Sequence, residues 1–261
     1  MLLVRDAFGE LARYYDPLME HVDYDRWFVV AGLVAQLAPE PFVHADLGCG
    51  TAVFVKRLRK HGWKSFGFDL SPAMLRTARK GLKAPVLAAA DLRALPLKAD
   101  SIDYATCLFD SVNFLLEIEQ VEEACRQVAG ALRPGGVFYF DAITERMVLE
   151  HFADQSWAEN NGEFSTSWRT DYNRKTALAE TYIQVDHGPL CTIRERVYEQ
   201  SAIENALVKA GFTVLGVMDA ETWKGPRRKT VRLDFVAVKG PALDFPRRFK
   251  QVQEQVRLSL S

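Results

Sequence analysis

From residue 42 to residue 140, short apolar runs alternate with stretches of helical period. Residues 42–47 read as a strand entering a glycine turn, and residues 52–61 as the helix that follows. Residues 64–69 read as a second strand. Ser71-Pro72 then opens a helix, Ser as N-cap and Pro at the first helical position. Residues 85–90 read as a third strand ending at Asp91, and residues 102–108 as a fourth. A helix is expected over 119–132, closed by Arg133-Pro134-Gly135-Gly136, with a fifth strand over 137–140. Strands alternating with helices imply βαβ units and a mainly parallel sheet covered on both faces. Right-handed crossovers gather the strand C-termini along one edge, and ligands bind outside that edge. Asp46, Asp69, Asp91, Phe109, Asp110 and Asp141 all fall at or just beyond expected strand ends.

The pattern differs on either side of this block. Before it, aromatic and charged residues recur at helical spacing. Pro17 should end or bend a first helix, and a second should start near Asp23 or Tyr24 with Trp27, Val30, Val34 and Leu37 on one face. After it, residues 157–198 alternate polar and apolar, as antiparallel strands do, with His187-Gly188-Pro189 as a turn. A helix over 201–210, a Gly211 C-cap and strands over 212–217 and 231–238 resume the earlier rhythm, and a terminal helix starts near Asp244. The fold expected is α/β, a Rossmann-like seven-stranded mainly parallel sheet with helices on both faces, plus a small antiparallel β insertion. The divisions are a helical cap over 1–40, a core over 41–141, the insertion over 142–200 as lid or dimer contact, the remainder of the core over 201–240 and a C-terminal helix over 241–261.

Composition narrows the function classes. The 261 residues are 48% hydrophobic and 26% charged, ordinary for a globular chain. Lys and Arg total 33 against 34 Asp and Glu, a net charge of -1, so no basic surplus points to nucleic acid. Arg227-Arg228-Lys229 and Arg247-Arg248 with Lys250 read as solvated faces. Cys49, Cys107, Cys125 and Cys191 form no CxxC pair and have no His at metal-ligand spacing, so they read as reduced thiols and no metal is expected. The first residues turn charged too soon for a signal peptide, and no run is long and apolar enough to cross a membrane. A cytoplasmic protein, monomer or homodimer, is expected.

The candidate chemistry centres on Asp46-Leu47-Gly48-Cys49-Gly50. Glycines at Gly48 and Gly50 permit turns and close approach that a side chain blocks. The following helix N-terminus presents unpaired N–H groups to an anionic ligand group. Asp69, 19 residues past Gly50 at the end of the next strand, can accept hydrogen bonds from ribose hydroxyls. A dinucleotide fingerprint G-x-G-x-x-G is not completed, because Val53 stands where the third glycine belongs, which opposes an NAD-dependent oxidoreductase.

Taken in order, the motifs are more specific. His44-Ala45-Asp46-Leu47-Gly48-Cys49-Gly50-Thr51 closely resembles the first motif of class I S-adenosylmethionine (SAM)-dependent methyltransferases. Phe66-Gly67-Phe68-Asp69-Leu70-Ser71-Pro72-Ala73-Met74-Leu75 resembles their second, Ala90-Asp91-Leu92 their third, and residues 100–111 their fourth. Leu132-Arg133-Pro134-Gly135-Gly136 is similar to their turn before the fifth strand, and Ala52 departs from a frequent Gly. The opening segment, Tyr15-Asp16-Pro17 and Asp23-Tyr24-Asp25-Arg26-Trp27, looks like that of a bacterial small-molecule subgroup with a β-rich insertion after the fifth strand.

The resemblance implies SAM as cofactor and S-adenosylhomocysteine as product. It implies that Asp46 organises the methionine ammonium, Gly48 and Gly50 border the methionine portion, and Asp69 binds ribose. Leu70 and Met74 would contact adenine, Asp91 its amino group, and Leu92 would stack nearby. Tyr15 and Trp27 would cover the cofactor from the opening segment, with Tyr24 facing the acceptor; ordinary helix packing is the alternative for all three. Phe109 and Asp110 stand where the transferred methyl group emerges, which makes Asp110 the candidate acid, base or acceptor ligand. Neither the Asn/Asp-Pro-Pro-aromatic segment of N6-adenine enzymes nor a Pro-Cys pair is present there. Asn113, Trp168, Arg169, Tyr172 and Arg196 are further acceptor candidates, with Tyr182, Arg194 and Trp223 alongside; a sheet with one packed and one wet face is the plainer reading of this group. The function expected is methyl transfer to O or N of a small molecule. The alternatives are a tRNA or rRNA methyltransferase and a SAM-binding protein without catalysis.

Overall fold

The computed structural model describes residues 6–79, 86–160 and 162–260. The chain runs through α1 (Tyr15–Leu18), α2 (Tyr24–Ala35), β1 (Val43–Leu47), α3 (Val53–Lys60), β2 (Lys64–Asp69), α4 (Pro72–Ala78), β3 (Leu87–Ala89) and β4 (Ile102–Cys107). A 3-10 turn (Ser111–Phe114) precedes α5 (Ile118–Ala131), β5 (Leu132–Ile143) and α6 (Glu145–His151). Four strands follow: β6 (Ser156–Asn160), β7 (Ser165–Asn173), β8 (Leu178–Val185) and β9 (Cys191–Arg196). The chain then forms α7 (Gln200–Lys209), β10 (Phe212–Asp219), β11 (Arg232–Lys239) and α8 (Phe245–Ser259).

The main sheet has the order β10-β11-β5-β4-β1-β2-β3. Strands β1 to β5 pair in parallel, while β11 runs antiparallel to both β5 and β10. The central β4 is buried along its whole length, as a strand covered on both faces must be. On one face, Val121, Ala124, Cys125 and Val128 of α5 and Ile203, Ala206 and Leu207 of α7 meet Leu47, Ala105, Phe138, Phe140 and Phe235. On the other, Trp27, Val30 and Val34 of α2, Phe54 and Leu58 of α3 and Phe249, Val252 and Val256 of α8 meet Tyr104, Tyr139 and Val236. This is the expected α/β fold with its helices on both faces.

Several boundaries differ from the sequence expectation. Strand β5 starts at Leu132, ahead of the glycines. Leu132 pairs with Ile102 and the ladder resumes at Val137 opposite Tyr104, so residues 133–136 loop out as an irregularity inside one strand. Pro134 cannot donate to the ladder and Gly135 sits at φ +79, which suits them to that loop. Pro17 falls inside the short α1 and does not end a longer helix. It stands in the first turn, where a missing N–H costs nothing because that turn has no acceptor for it. Helix α6 was not legible from periodicity; Thr144 caps it by accepting from Met147 N. Of the expected third strand, residue 85 lies outside the described residues.

The second sheet, β6-β7-β8-β9, is antiparallel throughout. Its register places Thr166, Trp168, Thr170 and Tyr172 on one face with Ala179, Thr181, Ile183, Cys191, Ile193 and Glu195. Part of this face packs on the N-terminal segment, where Leu11 joins Phe164, Ile183, Val185 and Cys191, flanked by Phe8, Tyr14 and Trp168. The opposite face carries Arg169, Tyr182, Asp171, Glu180 and Arg194. Among the described residues no helix is long and apolar enough to cross a membrane.

Trp223, grouped with the insertion aromatics on sequence grounds, is instead a core residue with no exposed surface. Its Nε1 donates to Asp234 Oδ2 at 2.6 Å, and Tyr139 Oη donates to the same oxygen at 3.3 Å. Removing a donor from a buried carboxylate leaves it under-bonded. Trp223→Phe is therefore expected to cost about 1–3 kcal/mol of stability at neutral pH, read by urea unfolding followed by circular dichroism. An unchanged midpoint would show that Asp234 does not depend on this bond.

Candidate active site

The glycine turn after β1 is held from its neighbour strand. Gly48 N and Cys49 N both donate to Phe68 O of β2, at 2.7 and 2.9 Å. Gly48 adopts φ +76, and a Cβ there would lie 2.4 Å from Ser111 Oγ, so two separate constraints demand glycine. Gly50 adopts φ +53 and faces open space, with nothing within 4 Å of a Cβ. Ala52 takes the left-handed conformation at φ 59, where a side chain costs about 1–2 kcal/mol. This is the physical consequence of its departure from glycine. The Asp69 carboxylate closes the turn. Its Oδ2 accepts from Gly50 N at 2.8 Å and its Oδ1 from Ser71 N at 2.8 Å. The cap of α4 is a different side chain, Ser71, whose Oγ accepts from Met74 N. Burial raises the Asp69 carboxyl above its ordinary range, against the pull of the two N–H donors.

Beneath the turn runs a buried polar chain that sequence reading did not assemble. Thr106 Oγ1 on β4 donates to Asp46 Oδ1 at 2.6 Å. His44 on β1 bonds Thr106 Oγ1 through Nε2 at 3.0 Å and Ser65 Oγ on β2 through Nδ1 at 2.8 Å. Because the Thr106 proton points to Asp46, the His44 Nε2 carries the proton and Ser65 donates to Nδ1. Burial lowers the His44 imidazole to about 3, so it is neutral here. Burial raises the Asp46 carboxyl to about 7, with Asp69 adding to the rise and the Thr106 bond opposing it.

The N-terminal segment lies across the strand ends. Asp6 accepts from Ser71 Oγ at 2.8 Å and from Ala73 N at 3.4 Å, and Asp16 accepts from Thr51 Oγ1. Tyr15 stacks edge-on against Phe8, and its hydroxyl is pushed well above the ordinary range by burial and then by Tyr24, Asp110, Asp69 and Asp16. Tyr24 and Trp27 both pack on Phe109, with ring centroids 5.2 and 5.0 Å away. Met74 is buried, while Leu70 is 60% exposed. Asp91 is held by Arg93, which donates from its N, Nε and Nη2, and Leu92 packs against the sheet core.

A charged cluster forms the other end. Phe109 and Asp110 are consecutive non-glycine residues at φ 58 and 54, a strained pair that turns both side chains off the end of β4. Asp110 N donates to Asp141 Oδ2 at 3.1 Å. Arg232 Nη1 donates to Asp110 Oδ1 at 2.7 Å and to Asp141 Oδ2. Burial alone would lower the Arg232 guanidinium, but Asp110 and Asp141 outweigh it, and the charge is locked on. Arg232 and Glu195 were missed. The readable signal for Glu195 was an acid at the inward position of Cys191-x-Ile193-x-Glu195, a strand face otherwise apolar.

Other acceptor candidates are not brought here. Asn113 is fully buried; its Nδ2 donates to Arg196 O and its Oδ1 accepts from Ile143 N, so it ties loops together. Arg196 Nη1 donates to Thr176 O and Nη2 pairs with Glu117. Arg169 stands on the open face over the Tyr182 ring, and Arg194 pairs there with Glu180. Trp168 stacks on Trp157 at 5.6 Å and donates to Thr166 Oγ1, while Tyr172 donates to Glu145 of α6. The period-two alternation explains the misassignment: neighbours Trp168 and Arg169 point to opposite faces.

A parallel sheet with a glycine turn after its first strand and carboxylates at the next strand ends defines a nucleotide-cofactor-binding protein of the Rossmann-like class. Comparison narrows the class. Residues 45–140 match the family described as Methyltransferase domain. YqeM of Bacillus subtilis, provisionally named a methyltransferase, is 28% identical over 248 residues, covering 89% of this chain and 97% of that one. A SAM-dependent methyltransferase from Clostridium acetobutylicum shares the fold with a TM-score of 0.76 at 25% identity, covering 90% of this chain and 99% of that one. A dTDP-4-amino-2,3,4,6-tetradeoxy-D-glucose N,N-dimethyltransferase from Saccharopolyspora spinosa is 31% identical over 52% of this chain and 59% of its own length. Residues 45–140 thus carry a methyltransferase domain, and the chain as a whole is similar to SAM-dependent methyltransferases.

Two buried carboxyls set a pH dependence. Asp46 and Asp234 are each raised from 3.8 to about 7, chiefly by burial. An acid whose folded pKa is raised stabilises the fold below its unfolded pKa, and that contribution is lost as pH rises through the folded value. Stability is thus expected to fall between about pH 4 and 7. Asp234→Asn, remote from the glycine turn, should flatten that slope by up to about 4 kcal/mol, seen by comparing urea midpoints at pH 5 and pH 8. A slope unaffected by the substitution would place the titration elsewhere.

Proposed function

We propose that the chain transfers the SAM methyl group to an O or N atom of a small-molecule acceptor. The observation that carries the reading is the Asp69 clamp on Gly50, with open space over Gly50. The residues fit the cofactor in sequence along the sheet edge. Asp69 would take the ribose hydroxyls, Gly48 and Gly50 would border the methionine portion, and Asp46 would meet the ammonium. Met74, which is buried, would contact adenine, and Leu70 and the Arg93-paired Asp91, exposed and partly exposed, would flank that end. The methyl end then falls at Phe109, Tyr24 and Trp27, and the acceptor beyond it at Asp110.

Bound SAM supplies an electrophilic methyl group on a cationic sulfonium. The protein's share is alignment and the exclusion of water. The aromatic wall of Tyr24, Trp27 and Phe109 makes the methyl end apolar. A cationic acceptor, or one that must lose a proton on attack, needs a base, and Asp110 is the carboxylate in reach. The Saccharopolyspora relative acts on a nucleotide-linked amino sugar, which supports a small polar acceptor here. The near-neutral net charge of -1 fits such an acceptor better than a polyanion.

The test is calorimetry with SAM and S-adenosylhomocysteine. Both should bind, and Asp69→Ala should weaken S-adenosylhomocysteine by about 1–3 kcal/mol, because ribose hydroxyls lose their acceptor. Failure of the wild-type protein to bind either ligand would overturn the reading. An unaltered affinity in Asp69→Ala would overturn the ribose assignment.

A further inference from the structure

Glu195 has no role in cofactor binding, yet it is the residue by which the β insertion reaches the methyl end of the site. It sits on β9 opposite Ala179, on the inward face of the second sheet. Its Oε1 is buried and meets no N–H or O–H donor of the protein. Its neighbour Arg196 is tied by its carbonyl to Asn113 Nδ2, three residues past Asp110, which sets the Glu195 carboxyl against that of Asp110; two carboxyls so placed share a proton. The carboxyl of Asp141, wholly buried, completes the group, and its Oδ1 also lacks a donor. Three carboxyls therefore share one cation, Arg232, which spends its bonds on Asp110 and Asp141.

Such a cluster is unbalanced. Burial, the charge of Asp110 and the bond to Asp110 all push the Glu195 carboxyl well above its ordinary range, and Arg232 only partly opposes them. Burial likewise raises Asp141, against the pull of Arg232. Among the described residues no second cation bonds Glu195; the flanking Arg194 pairs with Glu180 and Arg196 with Glu117 and Thr176 O. An array with surplus acceptors and a shortage of donors complements a group that is all donors. Among small-molecule nucleophiles a protonated amine is that group, with three N–H bonds and a positive charge. An alcohol brings one donor and no charge.

Resting on the methyltransferase reading above, we propose that Glu195 and Asp110 form a proton-sharing carboxyl pair that selects a primary or secondary amine as acceptor and takes its proton. The ammonium docks against the pair and gives one N–H proton to the free carboxylate, leaving the nitrogen lone pair available. The nitrogen then attacks the methyl carbon. The N–C bond forms, the S–C bond breaks with its electron pair remaining on sulfur, and the methylated ammonium and a neutral thioether result. The proton held by the pair passes to solvent when the product leaves. Arg232 orients Asp110 through its bond to Oδ1 and does not itself touch the amine. Phe109, Tyr24 and Trp27 wall the same end, so a methylated ammonium also finds aromatic faces there.

The pair can be tested by binding without turnover. The probes are 4-amino-4,6-dideoxy-D-glucose and 6-deoxy-D-glucose, which differ only in the nitrogen, titrated into protein saturated with S-adenosylhomocysteine. The amine is expected to bind at least roughly tenfold more tightly than its hydroxyl counterpart, as charge-assisted bonds to a carboxylate require. The double variant Glu195→Gln with Asp110→Asn keeps the shape and removes the charge of the pair, whichever carboxyl holds the proton. It should bring the two probes to comparable affinity while S-adenosylhomocysteine still binds as in the wild type, and retained cofactor binding also shows that the variant is folded. Should the double variant fail to fold, Asp110→Asn alone is read in its place, with the same loss of preference expected. Equal affinity of the two probes for the wild-type protein, or no measurable amine binding, overturns the pair as an amine selector. So does a preference that survives both substitutions. Failure of the wild-type protein to bind S-adenosylhomocysteine fails the methyltransferase reading itself, a separable outcome.

Discussion

One carboxylate joins the two turns on which the site depends. Asp69 accepts the N–H of Gly50 with one oxygen and that of Ser71 with the other. The first N–H belongs to the turn after β1 and the second to the turn after β2, so a single side chain fixes their separation. Each N–H would otherwise be an orphan near a helix start, and the carboxylate satisfies both. Burial opposes the charge and the two donors sustain it, so the group is poised and not merely neutralised. Everything further along the edge is placed from here: Gly48 against Ser111, α4 by its Ser71 cap, and the N-terminal segment by Asp6 on the same Ser71.

The two ends of the edge are built on opposite electrostatic plans. At the glycine turn, buried Asp46 leans on neutral neighbours, Thr106 and through it His44 and Ser65. Among the described residues no cation pairs with it, which leaves the carboxyl receptive to a ligand's positive charge. At the far end, Arg232 is present and is outnumbered. That arginine comes from β11, the one antiparallel strand, whose register sets Arg232 opposite Ile143 and Asp234 opposite Asp141. Reversing one strand brings a residue from late in the chain to the C-terminal edge of the parallel strands.

The cover over this edge is assembled from distant parts of the chain. The N-terminal segment and the second sheet share an apolar cluster, Leu11 with Phe164, Ile183, Val185 and Cys191. Phe8 bridges onward to Tyr15 and to Phe114 beside the 3-10 turn. Each contact is modest, on the order of 1–3 kcal/mol per fully buried side chain. Because the same residues serve both partners, displacing one loosens the other. The N-terminal segment and the insertion thus pack as one unit.

How much of this could be read in the chain follows from the range of the interactions. The strand-turn-helix units, the Ser71 cap, the Asp69 position and the alternation of the second sheet were all legible, because they are set by neighbours within a few residues. Helix α6 and the early start of β5 were not, since a short capped helix and a strand with a looped-out Pro-Gly-Gly leave weak periodic signals. Sequence placed Asp110 at the site and could not pair it. Its partners Arg232 and Glu195 lie 122 residues away in one case and on another sheet in the other. Trp168 and Arg169 were legible as an aromatic-basic pair, but only the register of β7 against β8 decides which face each takes. By itself the sequence determined the glycine turn and the carboxylates at the strand ends, because they lie in one continuous stretch. Only the tertiary structure decided what gathers around Asp110, because that surface is made of side chains whose meeting depends on strand order, strand direction and register.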